Sequence, residues 1–143
     1  MLAACACSKV RRASRALTRI YDEALAPAGL TTTQFAILRN LTRLGMSSVT
    51  VLAQATGHER SAMTRNLRPL VDAGLVSIGA GTDQRSRGVA ITDKGHAAIA
   101  AAEPGWQAAQ ARVSAQLGSE DSARLFALLD RVEALSNEQE AGR

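Results

Sequence analysis

The sequence predicts a mainly α chain carrying one small β element (α+β), and three observations predict it. Apolar residues recur at three- and four-residue intervals, as in Val10, Ala13, Leu17, Ile20, Tyr21 and Ala24, or Phe35, Leu38, Leu41 and Leu44. Only Leu75-Val76-Ser77-Ile78 and Gly88-Val89-Ala90-Ile91 read as strands, and they flank a polar tip rich in Gly and Arg. Helix-breaking residues fall between the periodic stretches, at Pro27 and Gly29, Gly45, Gly57, Gly74 and Gly118. At 143 residues the chain is one domain's worth, long enough to bury a core.

In chain order, Ser8 to Ala26 reads as a first helix. Arg11, Arg12, Arg15 and Arg19 fall opposite its apolar face, with Asp22 and Glu23 as i+3 and i+4 partners of Arg19. A solvated charged face is a simpler account of these arginines than phosphate contact. Thr31-x-x-Gln34 is a capping box opening a second helix, which Gly45 ends. Ser48 caps a short third helix with Val49, Leu52 and Ala53 on its apolar side. Gly57 supplies a turn, and Glu59 brings negative charge to the start of a fourth helix, where the dipole favours it. That helix buries Met63, Leu67, Leu70 and Val71 and turns Ser61, Ala62, Arg65, Arg68 and Asp72 outward. Pro69 removes the hydrogen bond to the Arg65 carbonyl and predicts a local bend.

Gly74 suits the left-handed cap of that helix, and the two strands follow. Thr92 caps a long helix in which Pro104 and Gly105 predict a kink or break. Gly118 then precedes a last helix, capped by Ser119, with Leu125, Phe126, Leu128, Leu129, Val132 and Leu135 apolar. Fraying is expected from Asn137 onward.

Charge and composition narrow the function. Residues 1–44 carry seven Lys/Arg and two acids, whereas residues 95–143 carry four and seven. A basic front and an acidic back suit a nucleic-acid binder whose tail faces a partner subunit or solvent. Aromatics are few (Tyr21, Phe35, Trp106, Phe126), which argues against base stacking on single strands. No run of eighteen apolar residues is present and MLAACACS is too short for a secretory apolar region, so a cytoplasmic protein without membrane association is expected. Cys5, Cys7, His58 and His96 lack metal-ligand spacing, and neither histidine has a nucleophile partner. Neither catalysis, nor a metal, nor a cofactor is therefore expected.

A short helix, a glycine turn and a second helix with small residues and Arg outward is the arrangement that enters a major groove. With a hairpin after it, the unit is a winged helix-turn-helix. Ser61, Ala62, Thr64, Arg65 and Arg68 are the candidate DNA contacts of the helix. Arg85 and Arg87 are those of the wing, suited to a narrow minor groove. Asp83 is expected to orient the wing by pairing with a nearby Arg, because phosphates repel a carboxylate.

LAQATG, then ERSAMTRNLRPLVDAGLV, then TDQRSRGVAITDKG resembles the winged-helix core of the MarR family of bacterial transcription regulators. The wing pattern of that family is matched by Asp83, Arg85, Ile91, Thr92 and Gly95, and RRASRALTRIYDEALAPAGLTTTQFAILRNL is similar to its first two helices. The resemblance implies a single domain over 1–143, with residues 1–30 and 96–143 as a helical dimerisation region and 31–95 as the DNA-binding region. It implies a homodimer whose two recognition helices meet successive major grooves roughly 34 Å apart, hence a pseudo-palindromic operator in double-stranded DNA.

Family members often bind small aromatic or anionic effectors between the dimer helices and the winged helix. On that resemblance Arg15, Tyr21, Phe35 and Trp106 are the candidate lining, with dimer packing as the other reading of Trp106. Cys5 and Cys7 stand at a helix start near Lys9, Arg11 and Arg12, where a thiolate is favoured, and some relatives sense oxidants through such a cysteine. Small apolar fillers in a dimer arm are the other reading of the pair. The expected function is sequence-specific DNA binding by a repressor released by oxidation or a small molecule. The alternative is a winged helix used as a protein-interaction module; a thiol enzyme has only Cys-x-Cys in its favour.

Overall fold

The computed structural model describes residues 4–80 and 87–142, without the side chains of 140 and 141. Asp83 and Arg85 lie outside the described residues. The elements are α1 (Ala6–Leu25), a 3-10 turn (Ala26–Ala28), α2 (Thr32–Leu44), β1 (Ser47–Ser48), α3 (Val49–Thr56), α4 (Arg60–Asp72), β2 (Val76–Ala80), β3 (Arg87–Ile91), α5 (Asp93–Leu117) and α6 (Ser119–Ala141). They fall into two compact units, residues 1–106 and residues 107–143.

The first unit is built around α2. Its capping box forms in full: the Gln34 N–H donates to Thr31 Oγ1 (3.2 Å) and the Thr31 N–H to Gln34 Oε1 (3.0 Å). A second brace reaches it from α1, where Asp22 Oδ1 accepts from the Thr32 N–H (2.7 Å) and hydroxyl (2.6 Å). Asp22 thus serves the start of α2 rather than pairing with Arg19, as the charge spacing had suggested. Elements α1, α3, α4 and β3 all touch α2. This many-sided packing buries Ile37 as well as Phe35, Leu38 and Leu41. Leu44, expected inside, is 38% exposed because the last turn of α2 runs past the core into the Gly45 cap.

Around that helix, Leu25, Leu52, Met63, Leu67, Leu70, Val76, Val89 and Ala102 complete the core. The sheet has the order β1-β3-β2, all antiparallel, with Ser47 opposite Val89 and Val76 opposite Ile91. The two-residue β1 is too short to show alternation in sequence. Gly29, Gly45, Gly57, Gly74 and Gly118 have positive φ, as their positions at helix ends require.

Several expectations are corrected. Val71 is 38% exposed, since the buried stripe of α4 closes on Met63, Leu67 and Leu70. Pro104 does not break α5, which runs as one helix of 25 residues. The one interior hydrogen bond that proline removes is outweighed by packing, for Gly105 lies directly against the Ala24 carbonyl of α1. At the start of α6 the cap is Gly118, without a side-chain cap bond, and Ser119 is already helical. That last helix continues past Asn137 to Ala141, through residues with good helix propensity. In the second unit, Phe126, Leu128, Val132 and Leu135 of α6 are each more than half exposed.

Candidate nucleic-acid interface

The turn between α3 and α4 is closed from both sides. Ser48 Oγ accepts the Val51 N–H (3.1 Å) at the start of α3. At its end Gly57 adopts φ 71°, and the His58 N–H donates to the Ala53 carbonyl (2.9 Å). His58 Nδ1 lies 3.0 Å from Thr56 Oγ1, so this histidine is bound into the turn. The geometry sets the direction in which α4 leaves.

On α4, Ser61, Thr64, Arg65 and Arg68 are exposed and Ala62 is half-buried. The Thr64 hydroxyl donates to the Arg60 carbonyl (3.0 Å), which leaves its oxygen free as an acceptor. Among the described residues no carboxylate pairs with Arg60, Arg65, Arg68 or Arg87, whereas Arg124 pairs with Glu120 and Asp121. Asp72 therefore does not neutralise Arg65.

At the other end of α4, one hydroxyl holds three elements together. Thr92 Oγ1 donates to the Gly74 carbonyl (2.7 Å) and accepts the Gly95 N–H (3.0 Å), while the Thr92 N–H donates to the Leu75 carbonyl (3.1 Å). A Cβ on Gly95 would come within 2.2 Å of the Leu75 oxygen, which explains the Thr-x-x-Gly spacing read from the sequence. The end of α4, the end of β3 and the start of α5 are thereby fixed to one another.

Between α4 and the strands lies an open groove of about 680 Å³. Ser48, Val49 and Thr50 line one end, Arg60, Thr64, Leu67, Arg68 and Val71 line the helix side, and Ile78 and Arg87 line the strands. Arg60 was missed in the sequence, although its i, i+4, i+8 spacing with Thr64 and Arg68 marks a shared helix face. Arg87 sits at the outer end of the β2–β3 ladder, opposite Ala80.

The residues expected to line an effector pocket lie on α1, α2 and α5. Phe35 and Trp106 stack with centroids 6.0 Å apart, and the Arg39 guanidinium lies 4.0 Å from the Trp106 ring centroid, a contact the sequence did not suggest. Phe35 is core, Trp106 half-buried, and partial burial raises the pKa of the Tyr21 phenol. Arg15 is exposed on α1, six residues before Tyr21 and so about 120° around the helix from it.

Cys5 is the N-cap residue of α1, and both Cys5 and Cys7 are exposed free thiols. The backbone and side chain of Ser8, and the backbone of Cys7, favour the Cys5 thiolate and hold its pKa below the ordinary value.

Comparison with known proteins places these features in context. The profile of the MarR family matches residues 28–86. The fold is similar to that of the transcriptional regulator MosR from M. tuberculosis in complex with DNA. The two chains are 39% identical over 98% of this chain and 99% of that one, with a TM-score of 0.81. The repressor CouR bound to a 23-mer DNA duplex is 25% identical over 90% and 92% of the two chains (TM-score 0.80). A MarR variant from E. coli complexed with operator DNA shares the fold at 24% identity over 87% and 91% (TM-score 0.80).

Proposed function

Because the chain belongs to the MarR family of DNA-binding transcriptional regulators, we propose that it is a homodimeric repressor that leaves its operator on thiol oxidation or on binding a small molecule. The observation that carries the DNA-binding part is the outward face of α4, where Ser61, Thr64, Arg65 and Arg68 stand exposed with no acidic partner among the described residues. Ala62, half-buried beside them, admits close approach to base edges. MosR in complex with DNA, at 39% identity, supports the same use of this fold here. Arg87, with Arg85 and Asp83 assigned from sequence alone, completes the set at the wing.

Dimerisation through residues 1–30 and 96–143, with 31–95 as the reading region, is supported by apolar side chains that each unit leaves exposed. Val10 (40%) and Leu17 (38%) do so in the first unit, and Phe126 (57%) and Leu135 (62%) in the second. A second copy is the covering that the family resemblance implies, and two reading helices then require a pseudo-palindromic duplex. Where such a regulator meets its DNA is the cytoplasm, and its part in the cell is binding rather than turnover. An effector pocket from Arg15, Tyr21, Phe35 and Trp106 is part of the same proposal, supported by the stacked Phe35–Trp106 pair.

The redox part rests on Cys5, whose thiolate is favoured and whose sulfur is exposed. The thiolate attacks a peroxide oxygen, water leaves, and a sulfenic acid forms. A second thiol, Cys7 or a partner's cysteine, then displaces the hydroxyl as a second water and closes a disulfide. Two electrons pass from two thiols to one peroxide.

The test is fluorescence anisotropy on the DNA upstream of the chain's own gene, reduced and then peroxide-treated. Binding that collapses on oxidation and returns with reductant supports the full proposal. Binding indifferent to peroxide removes the cysteines from it, and binding without sequence preference brings the protein-interaction reading forward.

A further inference from the structure

Pro69 is a costly residue for the place it holds. It lies inside α4, which nonetheless runs unbroken from Arg60 to Asp72. Its ring carries no N–H for the Arg65 carbonyl and crowds the preceding turn, so proline is the least favourable residue for a helix interior. The core does not account for it. The buried stripe of α4 is Met63, Leu67 and Leu70, while Pro69 is exposed and, among the described residues, stays outside the core cluster. It also stands about half a turn around the helix from Arg60 and is not part of the groove lining. On the helix it lies about 40° from Arg65 and about 20° from Ala62, on the outward face.

We propose that Pro69 is a specificity-determining residue whose ring packs on the C5-methyl group of a thymine in the major groove. The inference rests on the DNA-binding reading above. A proline side chain has neither donor nor acceptor, so hydrogen-bond readout is closed to it. The apolar feature that a base edge presents in the major groove is the thymine methyl. A closed ring loses no rotamer freedom when it makes that contact, unlike the long side chains of Arg65 and Arg68. Arg65 and Pro69 are one turn apart, about 6 Å along α4, or close to two base-pair steps of about 3.4 Å. The thymine therefore falls within about two base pairs of the base that Arg65 reads. A local rule broken on the surface is thus explained by a contact outside the chain.

The experiment lets the full chain select duplexes from a random pool. Anisotropy then compares the selected duplex with versions in which single thymines are replaced by deoxyuridine, which lacks only the C5-methyl group. The proteins are wild type and Pro69→Ala, with thermal melts of each by circular dichroism. Alanine restores the N–H at position 69 and leaves the core untouched, so Tm is expected to rise. For wild type, removing the methyl of one thymine near the Arg65 base is expected to weaken binding about fourfold. For Pro69→Ala the same replacement is expected to leave affinity unchanged, and that position becomes degenerate in its own selection. A proline that only bends α4 would alter the aim of Arg65 and Arg68 without coupling to a methyl group. Deoxyuridine that costs the same in both proteins, or costs nothing at any position in wild type, overturns the assignment while DNA binding stands. A lower Tm for Pro69→Ala overturns it too, since the fold would then account for the proline. A wild-type chain that selects no common sequence defeats the sequence-reading function itself.

Discussion

Replacing Gly105 by Ala tests how the arm helix α1 is held to the rest of the first unit. A Cβ at position 105 would lie 2.2 Å from the Ala24 oxygen and 3.1 Å from its carbonyl carbon, whereas real Cβ atoms stay beyond 3.0 Å. The obstacle is main chain and cannot rotate aside, so α1 and α5 must part by about 1 Å to reach ordinary C···O contact near 3.3 Å. A gap of about 0.5–1 Å already forfeits a quarter to a half of each dispersion contact along the crossing. Overpacking of this kind costs about 1–3 kcal/mol, here near the upper end. Alanine returns up to about 1 kcal/mol in helix propensity, leaving a net loss of about 1–2 kcal/mol. In a chain of this size that lowers Tm by about 2–8 °C. Thermal melts followed by circular dichroism read it, with Gly79→Ala as control, since a Cβ there meets nothing within 4 Å. A Gly105→Ala melt at or above wild type would show that α1 and α5 do not depend on this approach.

Three further outcomes are expected. Thr31→Ala removes the Gln34 N–H acceptor and the reciprocal capping geometry, destabilising the first unit by about 0.5–2 kcal/mol; a urea midpoint equal to wild type contradicts the cap. Asp22→Ala strips the Thr32 N–H and hydroxyl of their shared acceptor, part-buried between α1 and α2, and costs about 1–3 kcal/mol in the same assay, with Asp22→Asn losing less because one oxygen remains. Donors to the Cys5 sulfur lower its pKa, so in a Cys7→Ser background its alkylation rate rises at lower pH than that of an ordinary thiol near about 8.5. Ser8→Ala removes the hydroxyl but keeps the larger backbone contribution, so it moves that profile part of the way back to higher pH, and profiles that coincide refute the role of the Ser8 hydroxyl.

What the chain declares about its fold are local features. The Thr31–Gln34 box, the Ser48 cap, the Gly57 and Gly74 turns and the Thr92 cap each need only neighbours in sequence, and each forms as read. The errors lie where distant packing outweighs a local rule. Pro104 is a local signal for breaking a helix, and the contact of Gly105 with Ala24, 81 positions away, preserves it. Leu44 and Val71 continue an apolar spacing beyond the point where another element arrives to cover them. Asp22 has an arginine at the right helical spacing and a helix start across space, and the geometry favours the backbone N–H and hydroxyl of Thr32.

The interface divides in the same way. Ser61, Thr64, Arg65 and Arg68 are legible because a single helix displays them, and helical periodicity alone decides which side they occupy. A groove is not a property of one helix. Arg60 gains its meaning from Arg87, which reaches the same space from a strand 27 positions later, and from Ile78 on the strand between. Periodicity cannot rank Arg60 above Arg65, since both are exposed arginines on α4; only the arrival of β2 and β3 on one flank distinguishes them. The Thr92 hydroxyl makes that distinction durable. By binding Gly74 at the end of α4 and Gly95 at the start of α5, it fixes the register of helix against sheet, and so sets the width of the groove between them.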